Sequence, residues 1–246
     1  SDLSYPLLNR INFSSIKLEK LTTSFNGKTV LDQLDCEFLN KEVHVILGKS
    51  GTGKSVLLKM IIGLIVPDIG RIMIDNEDIH KSVEKNSLVL SYIFQSSALL
   101  NSLSVLDNIT IYLDEHRIGT KEERVSKAYE ILSDLGIEEA ALRMPSDLSG
   151  GMRKRVAIAR SLIISPNILL YDEPTAELDP INTKIISQII NNLKNNSSIT
   201  QIVVTHDIDF AYSIADKISI LENGNIAVTG DSADVKKSNN AILAPI

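Results

Sequence analysis

Apolar and polar positions along the chain fall into regions of different period. From about Ile16 to Phe38 they alternate, and the run is interrupted at Asn26-Gly27, a dipeptide suited to a tight hairpin turn. The pattern predicts antiparallel strands with one buried face, and Gly70-Arg-Ile-Met-Ile-Asp75 adds to the same layer. Val43-His-Val-Ile-Leu47, Tyr92-Ile-Phe-Gln95, Asn167-Ile-Leu-Leu-Tyr-Asp172 and Ile202-Val-Val-Thr-His206 alternate little. They read as short strands covered on both faces. Ser55–Ile62 is apolar along one side of a helix, and Lys121–Leu132 has apolar spacing near 3.6. Most of the stretch from Ser96 to Asp147 reads as helical. Elsewhere strand and helix alternate, as a parallel sheet requires. Glu222-Asn-Gly-Asn225 turns a final hairpin, and Ser238–Ile246 has no periodicity.

The expected fold is α/β, with an antiparallel β-layer and an inserted helical lobe at about 96–160. One domain spans 1–246, and a tail runs from about 231 to 246. The 246 residues suffice for a substantial core.

Charge and composition narrow the classes. A net charge of −6 gives nucleic acid no attraction. The sharpest basic cluster, Arg153-Lys154-Arg155, reads as electrostatics on the phosphate side of a helix start. No apolar run approaches the roughly twenty residues that cross a bilayer. The longest, Met60–Val66, ends at Pro67, and the start lacks a basic-then-apolar leader. Cys36 is the one cysteine. It reads as a buried strand residue, outside any disulfide or metal framework, which suits the reducing cytosol.

The candidate chemistry is at the strand ends. Gly48-Lys49-Ser50-Gly51-Thr52-Gly53-Lys54-Ser55 lies between a strand and a helix. Its glycines let successive N–H groups turn inward on an anion at a helix N-terminus. Lys54 supplies a mobile positive charge for β- and γ-phosphates, and the Ser55 hydroxyl can ligate Mg²⁺. Asp172 ends an apolar strand where a carboxylate can hold Mg²⁺, and Glu173 follows where it can polarise an attacking water. His206, as a neutral imidazole at another strand end, can contact a γ-phosphate. Gln95 ends a further strand within reach of metal or water.

With these motifs the chain resembles a bacterial ABC transporter ATP-binding subunit over nearly its whole length. The resemblance makes Gly48–Ser55 the Walker A loop, continued by Val56, and Gln95 the Q-loop glutamine. Leu148-Ser149-Gly150-Gly151-Met152 matches the family signature, and Ile168–Asp172 with Glu173 matches Walker B and the catalytic glutamate. Ala176-Glu-Leu-Asp179 matches the D-loop, and His206 the switch histidine. Phe25 falls where the family stacks an aromatic ring on adenine. Two departures are Glu177, where many relatives carry Gly, and Val56 in place of Thr.

The resemblance implies ATP and Mg²⁺ as cofactors, with Ser55, Gln95 and Asp172 around the metal. It implies a homodimer in which Ser149, Gly150 and Gly151 of one copy close over the phosphate held by the other. An integral membrane permease completes the engine, with the chain peripheral on the inner face of the cytoplasmic membrane. The segment Phe94–Leu100, the signature variant Leu148–Arg155 with Met152, and Tyr171-Asp-Glu-Pro-Thr are similar to the ATPases of Mce-linked, Mla-type lipid transport systems. That similarity adds an Mce-type lipid-binding protein as a partner. The alternatives are another cargo (lipoprotein, amino acid or metal complex) and a soluble iron–sulfur assembly-type ATPase.

Overall fold

A computed structural model describes residues 13–75, 77–79 and 88–238. Strands β1 (Ser15–Phe25) and β2 (Lys28–Leu39) form the predicted hairpin, turning at Asn26 and Gly27 with φ of 50° and 76°. Strand β4 (Ile69–Ile74) joins β1 antiparallel, and the short β5 (Glu77–Asp78) completes a sheet of order β2-β1-β4-β5.

The second sheet contains β3 (Val43–Leu47), β6 (Leu90–Ile93), β7 (Ile168–Asp172), β8 (Thr200–Thr205), β9 (Lys217–Glu222) and β10 (Asn225–Asp231). Its order is β10-β9-β3-β8-β7-β6, parallel throughout except for the β9–β10 hairpin at the edge.

The non-alternating strands are buried on both faces. All five residues of β3 and of β7 are buried. Val43, Val45, Leu47, Leu169, Tyr171 and Val203 enter one core, while Ile46, Ile168, Leu170, Ile202 and Val204 enter a second. The second core is closed by the β1–β2 layer and by α1 (Lys54–Ile61). The first is closed by α2 (Val105–Glu115), α3 (Lys121–Asp134), α4 (Gly150–Leu162), α5 (Pro180–Asn196) and α6 (Ile208–Ile214).

Three details differ from the pattern-based reading. The first helix of the lobe starts only at Val105. Residues 96–104 form a loop in which Ser97 and Ala98 take φ of 63° and 44°. Left-handed backbone at a non-glycine costs on the order of 1–3 kcal/mol. The fully buried Asn108 amide offsets it by accepting from Leu100 N–H and donating to the carbonyls of Leu100, Leu103 and Ser104. The second detail is α7 (Ser232–Ser238), a helix where a tail was expected; residues 239–246 lie outside the described residues. The third is Cys36, which is half-buried beside Ser219 at 3.7 Å, its thiol pushed up to about 11 by burial.

Candidate functional site

Because β3, β8, β7 and β6 are neighbours and parallel, their carboxyl ends open at one edge of the sheet. Side chains that follow those ends converge there. The Gly48–Ser55 loop leaves β3, Asp172 and Glu173 end β7, His206 follows β8 and Gln95 follows β6.

The loop enters α1 through Gly53, whose φ of 100° few side-chain-bearing residues adopt. A Cβ there would also meet Leu31 at 2.9 Å and Val30 at 3.0 Å, so the loop lies tight on β2. Lys54, the first helical residue, is 5% exposed. Its ammonium donates to the carbonyls of Gly48 (2.8 Å) and Lys49 (2.9 Å) and lies 3.2 Å from Glu173 Oε1. Ser55 Oγ donates to Asp172 Oδ1 at 2.7 Å. Lys49, Ser50 and Gly51 are exposed at the loop crest, Thr52 donates its hydroxyl to Lys49 O, and Val56 packs on the second core.

Asp172 accepts a second bond, from Tyr92 OH at 2.7 Å. Burial and the carboxylate together raise the Tyr92 pKa, so the phenol remains a donor. Glu173 sits at φ 46°, pinned by its N–H to Val204 O. Its Oε2 accepts from the His206 ring at 2.9 Å and from the His206 backbone N–H at 3.3 Å. The Nδ1 nitrogen therefore carries a hydrogen directed at Glu173. Sequence reasoning missed Tyr92. Its signal was a hydroxyl within an otherwise apolar strand ending at the same edge.

A second cluster lies at the start of α4. Ser149 caps the helix, accepting from Met152 N–H at 3.3 Å, and is exposed. Gly151 is buried against α5, where an added Cβ would lie 2.0 Å from Asn182 Oδ1. Asn182 is held by Asp179, which caps α5 through Asn182 N–H (2.8 Å) and binds the side-chain amide (2.7 Å). Those bonds hold the exposed Asp179 carboxyl below its ordinary range. Glu177 is exposed at φ 65°, the left-handed position that Gly would fill.

Phe25 is 43% exposed at the tip of β1. Gln95 is exposed in the turn after β6, and its backbone carbonyl accepts from Lys154. Arg153, Lys154 and Arg155 donate to the carbonyls of Leu148, Gln95, and Leu135 with Gly136, all in loops outside α4.

Among the described residues no group of three or more His, Cys, Asp and Glu could hold a metal by itself. Mg²⁺ asks for less: one or two protein oxygens, completed by substrate phosphates and water. The Ser55 hydroxyl and Asp172 carboxylate are such a pair.

The ABC transporter family model matches residues 31–176. The probable ribonucleotide transport ATP-binding protein mkl of Mycobacterium tuberculosis is 36% identical over 88% of this chain. The chain spans only 61% of that relative's length. The intermembrane phospholipid transport system ATP-binding protein MlaF of Haemophilus influenzae is 32% identical, covering 93% of this chain and 88% of its own length. Among solved structures, dimeric MJ0796, a bacterial ABC transporter cassette, aligns with TM-score 0.80 and 31% identity over 88% of this chain and 98% of its own.

Proposed function

The chain belongs to the ABC transporter family, and from that premise we propose that it is an ATPase whose two nucleotide sites form between two copies and drive a membrane permease. The carrying observation is the convergence of Lys54, Ser55, Asp172, Glu173 and His206 on one sheet edge.

The residues divide the work. The Gly48–Ser55 loop offers N–H groups to the phosphates, and Lys54 transfers its ammonium from loop carbonyls to the β- and γ-oxygens. Ser55, Asp172 and Gln95 would hold Mg²⁺; the ion would supply charge neutralisation on the phosphates when bound. Glu173 orients and polarises the water for in-line attack. Its Oε2 is already aligned by the Nδ1–H of His206, the residue placed to contact the γ-phosphate. Phe25 stacks on adenine. Ser149, Gly150 and Gly151 of the other copy close over the phosphate, and Asp179 lies at the seam. Loss of the phosphate removes the contacts that hold the seam, and the dimer opens.

The cargo is lipid in this reading, with an Mce-type protein and its permease as partners, and the chain sits peripherally on the inner face of the cytoplasmic membrane. The MlaF relative and Met152 in the signature support it. The mkl relative is named for ribonucleotide transport, so the alternative is another cargo, and a soluble assembly-type ATPase is the remaining rival.

Leu99, Leu100 and Leu103 follow Gln95, and Leu100 is 44% exposed whereas Leu99 packs on the core. Leu100→Asp should detach the ATPase from an Mce-type permease complex in detergent, with melting temperature and ATP affinity kept. If the parent chain co-purifies with no integral membrane protein, the transporter reading fails and the soluble ATPase takes its place.

A further inference from the structure

Two cations of α4 grip the loop that carries Gln95. Lys154 is 6% exposed, and its ammonium donates to the Gln95 carbonyl. It also feels the carboxylates of Glu177, Asp172 and Glu173 through space. Further along the helix, the half-buried Arg160 forks onto the same loop, donating to Ala98 O at 2.8 Å and Ser97 O at 2.9 Å. Those are the two carbonyls of the left-handed Ser97–Ala98 step, so Arg160 adds to Asn108 in holding it.

Burial disfavours the charged forms of both side chains. A hydrogen bond to a neutral carbonyl returns less than removing an ammonium from water costs. An apolar residue at 154 would pack α4 more cheaply, so packing alone does not account for the lysine. What the two cations achieve is mechanical: they tie a loop after β6 to the helix that begins at Ser149.

We propose that Lys154 and Arg160 are positioning residues, a grip by which displacement of the Ser149–Gly151 end of α4 is passed directly to the loop carrying Gln95. The route bypasses the cradle of the same copy, because the grip touches neither the Gly48–Ser55 loop nor His206. It rests on the reading of Ser149–Gly151 as the phosphate-closing end. Loop and signature then move as one body, anchored at its far end where Asn108 holds Leu100.

Amide hydrogen exchange of the full chain tests this. The probes are Ser97 N–H, bonded to Phe94 O at 2.9 Å, and Leu100 N–H, bonded to Asn108 Oδ1 at 2.8 Å. Without nucleotide, Lys154→Met should speed exchange at Ser97 about tenfold, the equivalent of about 1.4 kcal/mol. Lys154→Arg, which keeps a cation, should restore the parent rate to within about threefold. Arg160→Lys keeps charge but loses the fork, and should speed Ser97 with α4 itself unchanged. On adding ATP and Mg²⁺, segments 148–153 and 95–100 should respond together in the parent, but only 148–153 in Lys154→Met.

Parent-like exchange in Lys154→Met overturns the proposal. So does a joint response of both segments in that variant. Uniform loosening of α4 in Lys154→Met, with Arg160→Lys behaving as the parent, makes the lysine a packing element and also overturns it. If instead 148–153 of the parent ignores ATP, the two-copy site fails, while the nucleotide-free comparison still decides the grip.

Discussion

The Lys54 ammonium lies 3.2 Å from the Glu173 carboxylate in a pocket where the two side chains are 5% and 10% exposed. The pair places the phosphate-binding charge directly against the group that would polarise water. Lys54 is therefore not idle before nucleotide arrives. It neutralises a buried carboxylate and satisfies two loop carbonyls, so ATP binding is an exchange of partners for the lysine.

Lys54→Ala should lower ATP affinity by about 100-fold, roughly 2.7 kcal/mol, since the charge facing the phosphates is gone. Titration with nucleotide at physiological salt checks this. Unchanged affinity would remove the Gly48–Ser55 loop from its role.

Glu173→Gln should bind ATP as the parent does and turn it over about 10²–10⁴-fold more slowly, the range ascribed to a positioned general base. The amide keeps the shape and can keep contact with His206 while losing the basic oxygen. Steady-state phosphate release is the measurement, and a parent-like rate would clear Glu173 of its part.

Gly151→Ala puts a Cβ 2.0 Å from Asn182 Oδ1, so α4 and α5 must separate. Overpacking of this kind costs about 1–3 kcal/mol. For a chain of this size each kcal/mol lowers the melting temperature by about 2–4 °C. ATPase activity should fall further than stability, because the displaced residues are those at the proposed seam. Adding Asn182→Ala makes room, and the double variant should regain melting temperature. If the second substitution rescues nothing, the Gly151–Asn182 contact is not what the glycine protects.

His44 gives a pH prediction. It is buried in β3, its Nε2 is 2.7 Å from Ser219 Oγ, and its Nδ1 has no partner. Burial, with Lys217 adding repulsion, lowers its pKa to about 3. Below about pH 6.5 the unfolded chain protonates this histidine while the folded chain does not until about pH 3. Stability from this group is therefore full above pH 6.5 and declines on acidification, by at most about 1.4 kcal/mol per unit. Chemical denaturation at pH 7, 6 and 5 should show a steeper acid loss for the parent than for His44→Gln. Equal slopes would contradict the assignment.

Much of the layout was legible because its causes are local. Non-alternating runs such as Val43–Leu47 mean burial on both faces, and β3 and β7 are buried throughout. The Asn26-Gly27 turn and the Glu222–Asn225 hairpin follow from residues that tolerate left-handed backbone. What stayed hidden depends on pairs far apart in the chain. Tyr92 meets Asp172 across two adjacent strands, and Lys154 meets Gln95 between a helix and a loop. No periodicity records such contacts. The irregular path of residues 96–104 was hidden for a related reason: a single amide, Asn108, overrides the helical tendency of its neighbours. The partners of Arg153–Arg155 were hidden in the same way, because the helix sends each of three adjacent cations to a different loop.

The central claim is that ATP is held between two copies of the chain, and mass measured in solution tests it most directly. Glu173→Gln, a 27.0 kDa chain, should sediment at twice that mass when ATP and Mg²⁺ are added and return to single mass when nucleotide is removed. Glu173→Gln carrying Ser149→Arg should bind ATP at its own cradle yet stay at single mass, because the arginine protrudes where the partner's phosphate docks. A Glu173→Gln chain that is saturated with ATP and remains single at every concentration tried would contradict the two-copy site.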